Sequence, residues 1–171
     1  MVYEKKVTVL GYGNPLHQLL PEARKHPHTF FTAIDLDLPP PKALGEVENI
    51  HFMKDEFMGG LKKLRQHSQD KIISELSLGY YGRMGHRTWD RQYTQQVVDF
   101  AKTRLKPEGK IISYVMEGDC DKIREVFEKA GLKVFKEKIT DQQASEGPWM
   151  NMLQIHQGVP ISKITARKTH K

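Results

Sequence analysis

VTVLGYGNPLHQLLPEARKHPHTFFTAIDLD, from Val7 to Asp37, is the stretch that decides the fold. Val7, Val9 and Leu10 form a short apolar run that stops at Gly11-Tyr12-Gly13-Asn14. Pro15 then opens a helix-like segment, which suits proline because the first helical N–H has no partner in any case. A second apolar run, Phe30, Phe31, Ala33 and Ile34, ends at Asp35, 24 positions after Gly11. This is the layout of a βαβ nucleotide-binding half: the glycines let the backbone approach a ligand at the carboxyl end of the first strand. The acid at the end of the second strand accepts ribose hydroxyls. Leu16 and His17 stand where a dinucleotide fingerprint needs its third glycine, which disfavours a pyrophosphate binder.

Beyond Asp37 the pattern repeats. Leu38-Pro39-Pro40-Pro41 reads as an extended connection, because proline has no N–H to give to a ladder. Asn49 to Met53 is a third strand, ended by Lys54-Asp55-Glu56, and Gly59-Gly60 precedes an amphipathic stretch from Leu61 to His67. Lys71 to Leu76 is the fourth strand. Asp90 caps a helix over Arg91 to Arg104, with Tyr93, Val97, Phe100 and Ala101 on one face at helical spacing. Leu105-Lys106-Pro107-Glu108-Gly109 breaks that helix, and Lys110 to Met116 is an apolar strand of the kind buried on both faces. Asp119 or Asp121 starts another helix, which Gly131 ends. Leu132 to Thr140 is a sixth strand, and Trp149 to His156 is expected to be the seventh. Alternation of this kind predicts an α/β fold: a three-layer, mostly parallel sheet with helices on both faces and an antiparallel pair of strands at its C-terminal end.

At 171 residues the chain fits one domain, assigned to residues 1–156, with Gln157 to Lys171 as a basic tail. The net charge of +6 and a pI near 9.3 favour an anionic partner such as nucleic acid. No apolar run is long enough for a membrane span. MVYEKK has no signal-peptide core, and the single Cys120 allows no internal disulfide, so a cytoplasmic protein is expected. No set of Cys and His has metal-ligand spacing, and no metal site is expected.

A G-x-G before a helix, with an acid about two dozen residues on, resembles the first motifs of the class I S-adenosylmethionine-dependent methyltransferases, whose sheet is Rossmann-like. The antiparallel ending and the helix-LKPEGK-strand junction are similar too, and the resemblance spans Val7 to His156. It implies S-adenosylmethionine as cofactor. Gly11, Tyr12, Gly13 and Asn14 would pass beside its methionine part, Asp35 would hold the ribose hydroxyls, and Asp55 would accept from the adenine amino group. Glu75, an acid inside ISEL at the end of the fourth strand, is the candidate catalytic group, because a carboxylate there is costly unless it has a partner. The alternative for Glu75 is an ion pair with an arginine.

From Gly79 to Arg91 the chain carries three arginines, one histidine and three aromatic rings in thirteen residues, with a single acid. Guanidinium groups fork onto phosphates and aromatic faces stack on unpaired bases, so Tyr81, Arg83, His86, Arg87, Trp89 and Arg91 are candidate RNA-binding residues. ISELSLGYYGRMGHRTWDRQ followed by LKPEGK is loosely similar to the tRNA guanine-N7 methyltransferases, without their Asp-Pro-Trp signature. The expected function is methyl transfer to a base in structured RNA, tRNA or rRNA. Val9 stands where the class I methyltransferases often carry an acid, and Asn14-Pro15 follows where another glycine is common in them. These departures support the alternative, a degenerate methyltransferase-like RNA-binding or assembly module.

Overall fold

Val7-Thr8-Val9-Leu10 is apolar without alternation because its strand is covered on both sides. The computed structural model describes residues 2–11, 19–39, 45, 47–75, 78, 80–81, 88–140 and 160–169; for Glu75, Tyr80, Tyr81 and Thr88 it describes the backbone alone. In it β1 (Lys5–Leu10) lies between β2 (Thr29–Asp35) and β4 (Gln69–Glu75), parallel to both. The strand β3 (Ile50–Lys54) extends the parallel set beyond β2, and β7 (Leu105–Met116) extends it beyond β4. The remaining strands are β8 (Leu132–Lys138) and β9 (Ile161–Lys168). The order across the sheet is β3-β2-β1-β4-β7-β9-β8, with β9 antiparallel to both of its neighbours. Two short strands, β5 (Tyr80–Tyr81) and β6 (Thr88–Trp89), pair as a separate antiparallel ribbon. The expected α/β architecture with an antiparallel C-terminal end is the architecture observed.

Helices pack on both faces because side chains alternate along each strand. On one face Leu10, Ile34, Ile72, Ile111, Val115 and Ile164 meet the apolar stripes of α2 (Phe57–Lys63), α3 (Arg91–Arg104) and α4 (Cys120–Lys129) in one large cluster. On the other face Val7, Val9, Phe31, Ala33 and Ile73 form a smaller cluster with Leu19 and Ala23 of α1 (Leu19–Lys25). The α3 helix starts as its sequence predicts: the Asp90 carboxylate accepts from the Tyr93 N–H at 2.8 Å, satisfying one of the unpaired amides of the first turn.

Two local expectations are corrected. The helix after β3 begins at Phe57 and contains Gly59 and Gly60 rather than following them. Both glycines are required by close packing: a Cβ on Gly59 would sit 2.1 Å from the Asp55 carboxylate, and one on Gly60 would sit 2.6 Å from Ile34. The strand after α3 begins at Leu105, with a register shift opposite Gln69 and Lys71 before regular pairing resumes at Lys110. Such a bulge adds residues without losing the strand.

The largest correction concerns the C-terminus. Residues 157–171 were expected as a basic tail outside a domain ending at 156, yet Ile161–Lys168 is a strand inserted between β7 and β8. It takes the place expected for Trp149–His156, a segment outside the described residues. Its pattern explains both outcomes. Ser162, Ile164 and Ala166 are buried, whereas Lys163 and Arg167 alternate with them and give the segment its basic look.

Candidate functional site

In an open sheet of this kind ligands bind beyond the carboxyl ends of the strands, where strand order reverses. Here that point lies between β1 and β4, since the chain runs outward from β1 through β2 and β3 and then returns. Gly11 follows β1 directly and has φ +69, a conformation that costs glycine little and other residues a good deal more. Its N–H donates to the Ile34 carbonyl at 2.9 Å. The next amide in the row, that of Asp55, donates to the Asp35 carbonyl at 2.8 Å. These two bonds place Gly11, Asp35 and Asp55 side by side along one edge.

Asp35 ends β2 and is half-buried. One carboxylate oxygen accepts from the Leu36 N–H at 2.7 Å, which fixes the side chain in the turn, and a carboxylate has further lone pairs to offer. Asp55 is engaged differently. Its Oδ2 is 2.8 Å from the Lys63 ammonium, and that hydrogen bond, opposed by partial burial, holds the carboxyl below the usual carboxylate range. The pair ties the end of β3 to the last turn of α2. Glu56 starts α2, and its carboxylate lies 3.5 Å from the Tyr93 hydroxyl. Burial, the largest influence on Tyr93, raises its phenol.

Near the end of β4, Ser74 is fully buried and accepts the Leu78 N–H on its hydroxyl at 2.9 Å, closing the turn at the strand's end. The Glu75 backbone pairs with Tyr114 at this same edge, while its side chain lies outside the description. Tyr12, Gly13 and Asn14 also fall outside the described residues, as do Arg83, His86 and Arg87.

The ribbon of β5 and β6 brings Tyr80 opposite Trp89 and closes the segment that carries those basic residues. Trp89 packs against the larger core, with the Lys122 ammonium 5.4 Å from its ring centroid. Arg91 is 2.8 Å from Glu125 of α4; an exposed pair of this kind is worth little and is readily exchanged for another anion. So the structure gathers Gly11, Asp35 and Asp55 and gives Trp89 and Arg91 partners within the fold. Among the described residues no group of three or more His, Cys, Asp or Glu is placed to hold a metal, and no helix is long and apolar enough to cross a membrane.

A second polar cluster at the carboxyl end of β7 has no counterpart in the sequence reading. Glu117 accepts from Lys136 and from Ser162, both at 2.5 Å. Those bonds lower its carboxyl to about 2. The cluster was not legible because its members come from three segments that only the insertion of β9 brings together.

No protein-family model and no curated protein matches the chain. Solved structures match over nearly its whole length. The 1,6-didemethyltoxoflavin-N1-methyltransferase of Burkholderia thailandensis, solved with S-adenosylhomocysteine, superposes with a TM-score of 0.69 at 15% identity, over 98% of this chain and 72% of that one. The 16S rRNA methyltransferase KamB superposes with a TM-score of 0.66 at 11% identity, over 98% and 89%. The [4+2]-cyclase SpnF does so with a TM-score of 0.66 at 14% identity, over 100% and 78%. The fold is therefore that of the class I methyltransferases, and SpnF marks the limit of that statement: the same fold also carries a cyclase.

Proposed function

We propose that the chain is an S-adenosylmethionine-dependent methyltransferase acting on a base in structured RNA, tRNA or rRNA. One observation carries the cofactor half of this reading: Gly11, in a left-handed turn, and the carboxylate of Asp35 stand side by side at the switch point of the sheet. The open backbone at Gly11 suits a ligand that must come close, and Asp35 offers acceptor oxygens to a ribose diol. Asp55 would offer a remaining lone pair to an amino donor while Oδ2 stays paired with Lys63.

S-adenosylmethionine, when bound, supplies an activated methyl group on a sulfonium. What remains for the protein is alignment and exclusion of water. A ring nitrogen with a free lone pair needs no strong base, so Glu75 has the task of accepting a hydrogen bond from the substrate's amine and orienting it. Tyr81, Arg83, His86, Arg87, Trp89 and Arg91 would hold the RNA around the ribbon of β5 and β6, with Trp89 and Arg91 first giving up or sharing their present partners. The positive net charge and the likeness to an rRNA methyltransferase support the RNA half.

Isothermal titration with S-adenosylmethionine and S-adenosylhomocysteine tests the reading, with NAD as the control ligand. Micromolar binding of both sulfur ligands is expected, falling about tenfold or more in Asp35→Ala as a charge-assisted hydrogen-bond pair is lost. Absence of binding to folded protein overturns it and favours a degenerate RNA-binding module, the reading to which the occupied Asp55 carboxylate already lends weight.

A further inference from the structure

Four cations stand directly opposite one another across four neighbouring strands. Lys71 of β4 pairs in register with Lys110 of β7, Lys110 with Arg167 of β9, and Arg167 with Lys133 of β8. Strand alternation puts all four on the face of the sheet that α1 covers only near β1 and β2; among the described residues no helix packs over this part. With strands about 4.8 Å apart, the row is about 14 Å long. None of the four is in an ion pair among the described residues. Glu22 of α1 is the acid that acts on Lys71, and it is itself 3.1 Å from His26. Glu137, an acid on which Lys110 acts, is paired with Lys163 at 2.7 Å.

Like charges placed directly opposite destabilise a sheet, and Lys71 adds a desolvation cost: burial, followed by the charge on Lys110, pushes its ammonium down. Lysines on an edge strand deter aggregation, which would account for Lys133 on β8. It does not account for Lys110 and Lys71, two and three strands further in. Beside the row Phe135 is 44% exposed, with the Lys133 ammonium 5.2 Å and the Arg167 guanidinium 6.0 Å from its ring centroid. The same residues line a groove of about 490 Å³ that continues past Pro107 and Gly109, with Glu108 at its side. The next row, Ile73, Ile112 and Thr165, is buried, so among the described residues this part of the face presents the cationic row and the aromatic ring, with the Glu137–Lys163 pair further along the strands.

We infer that this face is a second RNA-holding surface, in which Lys71, Lys110, Arg167 and Lys133 take the phosphates of an unpaired RNA segment and Phe135 stacks on one of its bases. The inference rests on the RNA half of the reading above and is independent of methyl transfer. A second copy of the chain is a poorer occupant, because it carries the same net charge of +6. An acidic protein segment would satisfy the cations but gives no reason for an exposed ring between two of them, whereas bases stack on such rings. The row crosses β4 at Lys71 and the candidate reaction edge is at Glu75, roughly 13 Å along the strand. RNA held here would be anchored outside the site of chemistry.

The test is fluorescence anisotropy with a fluorescein-labelled, mixed-sequence single-stranded RNA of about 20 nucleotides, from about 50 to about 200 mM KCl, a range over which phosphate contacts are read as a salt slope. In Lys110→Gln/Arg167→Gln the affinity at low salt should fall about tenfold or more, and the log–log slope should become shallower by about 1.4, or 0.7 for each lost phosphate contact. Phe135→Ala should weaken binding about fivefold or more with the slope unchanged, as loss of stacking does. Lys62→Gln/Lys129→Gln removes the same charge from exposed helix positions and should change neither. Each variant is checked by thermal melting and by titration with S-adenosylhomocysteine, which should be unaffected. Equal losses in the two double variants, no loss in the first, or competition by poly-glutamate matching that of RNA at equal charge overturns the inference. Wild-type protein that binds S-adenosylhomocysteine but no RNA also overturns it and leaves the cofactor site standing. RNA binding without cofactor binding does the reverse.

Discussion

The two faces of the sheet are made from the same strands but held by different forces. Over β4, β7 and β9, Ile72, Ile111 and Ala166 point toward α3 and α4 and into the largest apolar cluster, whereas Lys71, Lys110 and Arg167, one position away on each strand, point to the other side. There the apolar cluster is smaller, centred on α1 and reaching β7 and β9 through Tyr114 and Ile161, and a polar clamp does part of the work: the Asn49 amide donates to the carbonyls of Ala23, His26 and Thr29 at 2.9 to 3.1 Å, joining the end of α1 to the sheet. The difference teaches that one face is built for stability. On the other, part of the area carries unfavourable charge, which is where a ligand has something to gain.

Substitutions should separate the two. Phe127, fully buried between α4 and the sheet, should cost about 3–5 kcal/mol as Phe127→Ala, the largest effect expected, read from urea unfolding. A much smaller loss would mean that the helix face is not the main source of stability. Asn49→Ala should cost about 1–3 kcal/mol in the same measurement, because buried carbonyls lose their donor; a neutral result would remove the clamp from the account of the α1 face. Lys110→Gln should run the other way, leaving the melting temperature unchanged or raising stability by up to about 1 kcal/mol, since it relieves a like-charge pair. A clear loss would show that the row of cations is structural.

The smallest effect concerns the cluster at the end of β7, where the Glu117 carboxyl is lowered to about 2 from 4.5. A carboxyl lowered on folding contributes stability that is fully present above its unfolded value. That contribution is lost as pH falls from 4.5 through about 2. Lys136→Met, which removes the first of its two donors, should flatten the stability profile in that window, lowering stability slightly on the plateau above it and leaving it unchanged at pH below about 2. Glu117 is solvent-facing, so the change should be slight.

Much of the fold was legible because its signals are local. Apolar runs ending at Gly11 and at Asp35, the Asp90 cap three residues before Tyr93, and the spacing of Val97 and Ala101 each report a turn, a cap or a helix face within a few residues. The same holds for the candidate site at Gly11 and Asp35, which sit at strand ends that the sequence marks. Asp55 was placed correctly at the end of β3, but its ion pair with Lys63 depends on a helix that begins earlier than its two glycines suggest, and those glycines belong in the helix only because Asp55 and Ile34 press against it.

By itself, the sequence determined the βα alternation, the switch-point turn and the overall α/β class, because periods of 2 and 3.6 and the chemistry of caps and turns act between near neighbours. Tertiary structure alone decided that Ile161–Lys168 enters the sheet between β7 and β8, and that Lys71, Lys110, Lys133 and Arg167 form one row. Strand pairing and register are set by hydrogen bonds and packing between segments far apart in the chain, and no local pattern in the chain records which distant strand will lie alongside.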